Sequence, residues 1–126
     1  MIEVTSALPS YTIRQDSPDG RLFVHVIERD GTPVEVRVNI GKAGTNMAAW
    51  ADAIGRLITR LLPHIGIHGV IEELSGITSQ GIRLLEKGNV CRSGPEGIAI
   101  ALMIQRRAKF EENKPKERPG RAGTEG

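Results

Sequence analysis

Residues 40–50, IGKAGTNMAAW, place a lysine between two glycines, just ahead of a threonine and a helical pattern. Gly41 and Gly44 free the backbone to turn, and Thr45 or Asn46 can cap the helix that follows. The free amides of that first turn would attract an anion, with Lys42 beside them. This is not the phosphate loop of nucleotide hydrolases, which needs a longer glycine-bounded loop with its lysine directly before Ser or Thr. A structural cap and a phosphate contact both fit. A second helix start lies at Ser93, again beside a basic residue, Arg92. If the two starts lie together, Gly41, Lys42, Gly44, Thr45, Asn46, Arg92 and Ser93 would make one anion or nucleotide-phosphate site.

Other residues carry less chemistry. Cys91 is the only cysteine, so no internal disulfide can form. Arg92 and the adjacent helix start would lower its pKa, but no histidine stands out as its base, and an incidental cysteine is favoured. His64 and His68 have the spacing of two ligands on a helix face, yet Pro63 and Gly66 make a helix boundary there and no further ligand is close. The exposure of His25, within a strand, is left open. Glu72 and Glu73 read as solvated charges. No catalytic residue, metal or cofactor is expected, since an enzyme would rest on Cys91 or the histidines alone.

Whatever site exists must be held by one small domain. The chain has 126 residues, 39% of them apolar but only 3% aromatic, so its core must be aliphatic. A net charge of +2 is too small to imply a nucleic-acid surface. No run of apolar residues is long enough for a membrane helix, and no export signal is evident. A reducing cytoplasmic setting is expected.

Tyr11, Ile13, Leu22, Val24 and Val26 alternate with polar residues, and Val34, Val36, Val38 and Ile40 do the same. Turn signals at Ser17-Pro18-Asp19-Gly20 and Arg29-Asp30-Gly31-Thr32-Pro33 separate these runs, which predicts an antiparallel meander of about three strands with one wet face. From Asn46 the period becomes helical. Trp50, Ile54, Leu57, Ile58 and Leu61 form a stripe expected to lie on the sheet, with Ala48, Ala51 and Gly55 as a narrower flank. Pro63 is expected to end this helix at or before Leu62. Ile67, Val70, Ile71 and Leu74 predict a shorter helix, capped by Gly76.

Residues 78–92 read as a polar loop around an apolar knot of Ile82, Leu84 and Leu85. A third helix starts at Ser93, where Ser93 and Glu96 fit the reciprocal capping box. Arg106, Arg107 and Lys109 are expected to complement its negative end. The fold class is therefore α+β, two to three helices packed on the sheet, over residues 1–110. Residues 111–126 read as a disordered polar tail.

The chain resembles the TSCPD domain found at the C-terminus of adenosylcobalamin-dependent ribonucleotide reductases and in small free-standing proteins. The resemblance rests on five pieces in order: Gly20 to Val24, Val34 to Gly44, Ala51 to Ile58, Leu74 to Ile77, and Ser93 to Ala99. The motif that names the family has a cysteine where this chain has Gly94, and members often carry another where it has Ser79. If those cysteines pair or bind metal in relatives, that role is absent here.

The resemblance implies an accessory module in deoxynucleotide and DNA synthesis that binds a nucleotide, ribonucleotide reductase or another protein partner, and is not itself a reductase. Two rival readings are a phage or mobile-element protein that sequesters a signalling nucleotide, and a homo-oligomeric assembly protein pairing through a sheet edge or the Ala48/Gly55 helix face. A homo-oligomer is expected.

Overall fold

The computed structural model describes residues 7–41 and 46–113. Three strands come first, β1 (Ser10–Ser17), β2 (Gly20–Arg29) and β3 (Thr32–Ile40), forming an antiparallel sheet with β2 in the centre. Ser17 pairs with Gly20, so Pro18 and Asp19 alone make the first turn. Ser17 Oγ braces it, donating to Gly20 O at 2.7 Å and accepting from Asp19 N at 3.2 Å. The second turn is Asp30-Gly31, both with positive φ, the backbone a two-residue hairpin loop requires. The expected meander is present in the expected order.

One sheet face is buried. Leu22, Val24 and Val26 of β2 and Val36 and Val38 of β3 point into the core, while Arg37 and Asn39 are exposed. Helix α1 (Asn46–Leu74) packs on β3, and α2 (Gly94–Asn113) packs on β1, β2 and α1. Between the helices, β4 (Arg83–Leu84) and β5 (Val90–Cys91) form a small hairpin around a 3₁₀ turn, Glu86–Gly88. The expected apolar knot is not a knot: Ile82 and Leu84 are exposed, and Leu85 is half-buried.

The face that α1 buries differs from expectation. Ala51, Gly55, Ile58 and Leu62 are buried, while Trp50 is 68% exposed and Leu57 64% exposed. The narrow flank lies on the sheet because it lets two backbones meet. A Cβ on Gly55 would lie 2.9 Å from Val38 N and 3.3 Å from Arg37 Cα. One turn on, Thr59 Oγ1 accepts from Val36 N–H at 3.0 Å and lies 3.0 Å from both Val36 O and Gly55 O, between which its proton is shared. The hydroxyl thus satisfies the outer edge of β3 as a fourth strand would. Gly55 is consequently not on a free face.

Pro63 does not end the helix. It sits within the last turn before a break at Gly66 (φ 72°, ψ 173°), a conformation that favours glycine over any residue with a side chain. Proline removes one donor and keeps φ in the helical range, so the turn carries on until the glycine redirects it. Ile67 and Val70 of the second half return to the core. At the other end of the chain, α2 runs three residues into the segment expected as tail; residues 114–126 lie outside the described residues. Among the described residues no helix is long and apolar enough to cross a membrane.

The Gly55 contact predicts that Gly55→Ala destabilises the fold. Helix propensity alone favours alanine by about 1 kcal/mol, but the close backbone approach forces α1 off β3, for a net loss of about 1–3 kcal/mol. Urea denaturation measures it, and a variant as stable as the parent would show that the contact yields.

Candidate functional site

The start of α2 is held by carboxylates of the protein itself. Ser93 Oγ accepts from Glu96 N–H at 3.0 Å, as a capping serine should, and donates to Ile77 O at 2.6 Å. Glu96 departs from the reciprocal capping box. Its carboxylate passes over the Ser93 amide and accepts from Arg92 N–H at 3.0 Å and from Gly76 N–H, beyond the end of α1, also at 3.0 Å. The Arg92 guanidinium closes on it with Nε at 3.1 Å and an Nη at 2.7 Å. These contacts, led by the Arg92 side chain and opposed by burial, hold the Glu96 carboxyl down at about 2, below its usual 4.5.

The next amide is engaged as well. Gly94 N–H donates to Asp19 Oδ2 at 3.1 Å, so the β1–β2 turn reaches the helix start. A Cβ on Gly94 would stand 2.7 Å from that oxygen. The missing side chain is therefore what admits the carboxylate. Ser79, the other position at which the family resemblance implied a cysteine, donates from both its amide (2.9 Å) and its hydroxyl (2.7 Å) to Arg92 O. Cys91 is fully buried beside these contacts and its thiol donates to Ser93 O at 3.1 Å. Burial pushes its pKa up, outweighing Arg92, so the expected lowering is overturned.

Both helix starts line one cleft of about 280 Å³, bounded by Leu22, Ile40, Met47, Trp50, Ile54 and Ile98, with Ala51, Gly94 and Pro95 completing the wall. Asp19 is its one charged lining residue among those described. Of the residues expected to make an anion site, Lys42, Gly44 and Thr45 lie outside the described residues. Gly41 donates its amide to Arg21 O at 3.1 Å, and Asn46 begins α1. Arg92 and Ser93 are committed to Glu96 and Ile77. The starts do come together, but what the described residues present between them is an apolar wall and a carboxylate.

Met47 and Trp50 of the cleft wall continue into Leu57, Leu61 and Ile65, all exposed along one side of α1. With half-buried Ile54, residues 47, 50, 54, 57 and 61 follow the alternating three-and-four spacing by which one helix meets another. Of the stripe expected to lie on the sheet, Ile54 and Ile58 do pack there, while Trp50, Leu57 and Leu61 face outward. Asp19 was missed outright, since no local pattern marks a turn carboxylate as a neighbour of residue 94.

The remaining clusters are structural. Glu28 is buried at the far end of β2, where Gln105 Nε2 (2.9 Å), Arg106 Nη1 (2.7 Å) and Lys109 Nζ (3.6 Å) surround its carboxylate. Lys109 also donates to Tyr11 Oη at 2.9 Å and lies over its ring. Arg106 and Lys109 thus neutralise Glu28 and do not serve the helix end, which lies further on at Asn113. His25 bonds Thr12 Oγ1 through Nδ1 at 2.8 Å. His64 and His68 are exposed on either side of the Gly66 break. Among the described residues no group of His, Cys, Asp and Glu could hold a metal ion.

Glu96 yields a pH prediction. Its carboxyl titrates lower in the fold than in the unfolded chain, so the stability it contributes is fully present above about pH 4.5 and is lost as pH falls through about 2. Glu96→Gln is expected to cost on the order of 1–2 kcal/mol at neutral pH, the half-exposed Arg92 being screened by solvent, and to flatten the acid limb of a stability–pH curve. An acid limb unchanged in the variant would mean that Glu96 is not held as described.

The sequence model of the TSCPD domain matches residues 3–105. No curated protein and no solved structure matches the chain.

Proposed function

The chain belongs to the TSCPD domain family, and from that premise we propose that it is a non-catalytic accessory module which docks on a protein partner in deoxynucleotide synthesis. Ribonucleotide reductase, with which the family is associated, is the first partner to test. One observation carries the choice of a protein over a nucleotide: the exposed stripe Met47, Trp50, Leu57, Leu61 and Ile65. Fully burying a leucine-sized side chain is worth about 1.5–3 kcal/mol, so leaving Leu57 and Trp50 more than half exposed forgoes several kcal/mol that a partner surface recovers. Exposed large apolar side chains grouped along one helix face are the kind of surface that marks interaction sites.

A nucleotide would need donors for its phosphates. The described amides at the α2 start are taken by Asp19 and Ser93, and Arg92 by Glu96. This weighs against the nucleotide reading, including its form as a sequestering phage protein. A second copy of the chain is another possible occupant of the α1 stripe, and the same variants report on it.

The expected result is binding of the immobilised full chain to purified adenosylcobalamin-dependent ribonucleotide reductase, weakened at least about tenfold, or 1.4 kcal/mol, by Leu57→Asp. The melting temperature should stay within a few degrees of the parent, because Leu57 is mostly exposed. Binding unaffected by Leu57→Asp would remove the α1 face. If only self-association, followed by sedimentation, responds to the variant, the stripe belongs to a second copy. A rise in melting temperature with deoxynucleoside triphosphates and no reductase binding would restore the nucleotide reading.

A further inference from the structure

Resting on the docking role of α1, the structure assigns a specific occupant to the cleft between the helix starts: we infer that it takes a branched aliphatic side chain from a partner segment, with a lysine or arginine next to it. The cleft is continuous with the stripe, since Met47, Trp50 and Ile54 belong to both. Its volume of about 280 Å³ lies at the lower edge of the usual range for small-molecule sites, about 300–1,000 Å³. That is ample room for an aliphatic side chain, and the described wall offers no basic group to a phosphate.

Its chemistry is one-sided. Leu22, Ile40, Met47, Ile54 and Ile98 offer nothing to a polar group, so the inserted atoms must be apolar. At the rim stands one carboxylate. Asp19 Oδ2 accepts from Gly94 N–H, whereas Oδ1 has no partner among the described residues, and the residue is exposed. No basic side chain shares the described lining. An adjacent cation on the partner therefore pairs with Asp19, and the exposed Trp50 indole offers that cation a second favourable surface. Complementarity of this kind discriminates partners more than it adds affinity, because a like charge at the same place is repelled. An acidic neighbour to the anchor would be rejected.

The position of Asp19 is built in. The two-residue turn, braced by Ser17 Oγ, aims the carboxylate at α2, and Gly94 leaves the space for it. Asn at position 19 retains an oxygen for the Gly94 amide and removes only the charge, so Asp19→Asn separates recognition from folding.

Trp50 is the only tryptophan of the chain and lines the cleft, so its fluorescence reports occupancy directly. The probes are three capped peptides, Ac-Ser-Leu-Arg-Ser-NH₂, Ac-Ser-Leu-Glu-Ser-NH₂ and Ac-Ser-Ala-Arg-Ser-NH₂, titrated into the full-length protein. The Leu-Arg peptide is expected to give a saturable emission change in the millimolar range, with the other two weaker by at least about fivefold, a difference near 1 kcal/mol. In Asp19→Asn the preference for Leu-Arg over Leu-Glu should fall to within about twofold while the melting temperature is kept. Equal binding of Leu-Glu, an unchanged preference in Asp19→Asn, or no saturable change with Leu-Arg up to about 10 mM would overturn the inference. Leu57 is not part of the cleft wall. Reductase binding lost in Leu57→Asp but indifferent to Asp19→Asn would therefore leave the docking role standing and sink the cleft assignment alone.

Discussion

The Glu96 carboxylate joins three stretches of chain at one point. It accepts the amide of Gly76 past the end of α1, the amide of Arg92 after β5, and the Arg92 guanidinium, all from the first turn of α2. A buried carboxylate is costly unless its lone pairs are filled by donors, and here two amides and one guanidinium fill them. The segment from Gly76 to Ser93 contains only a two-residue ladder and a single 3₁₀ turn, so it has little internal structure of its own. It is placed by its ends. Ser79 on Arg92 O and Ser93 on Ile77 O tie the same two strands of chain together beside Glu96. α2 lies across β1, β2 and α1; this cluster holds one end of it, and the contacts of Gln105, Arg106 and Lys109 with Glu28 hold the other.

The parts of the fold that depend on local chemistry were legible in the sequence. Strand alternation, Asp30-Gly31 at the second hairpin and Ser93 as a cap each follow from a few neighbouring residues, and each is found. The orientation of α1 was not legible, for a physical reason. Its apolar arc is wider than the sheet can cover, so either the large residues Trp50, Leu57 and Leu61 or the smaller set Ala51, Gly55 and Ile58 could face inward. Summed hydrophobicity favours the large set. The close approach of Gly55 to Val38, and of Thr59 to Val36, decides for the other. That approach is a property of two backbones and leaves no periodic mark. The break at Gly66 instead of Pro63 is similar, since a proline inside a final turn reads the same in sequence whether the helix stops or continues briefly.

The candidate site was half legible. Two helix starts flanked by basic residues suggested an anion, and the starts do converge. The sign of the site depends on what occupies the amides. Asp19, 75 residues away from Gly94, fills one, and Glu96 pairs with the guanidinium of the exposed Arg92. A helix N-terminus attracts negative charge whatever its source, and in this chain the protein supplies that charge itself. Once Asp19 and Glu96 are placed, the attraction of the described α2 start for an external anion is largely spent, and what faces outward is the remaining oxygen of a carboxylate.

Ser79 and Gly94, where the family resemblance implied cysteines, are both engaged in the structure. Ser79 makes a pair of hydrogen bonds to Arg92 O, and the missing side chain at Gly94 admits the Asp19 carboxylate. The strand-to-helix junction is thus knit by oxygens. The single cysteine that is kept, Cys91, sits buried with its thiol on Ser93 O. It contributes packing and one weak hydrogen bond, and burial holds its pKa above the ordinary thiol value. Above this junction lie the Asp19 rim and the apolar side of α1, the surface on which the proposed docking rests.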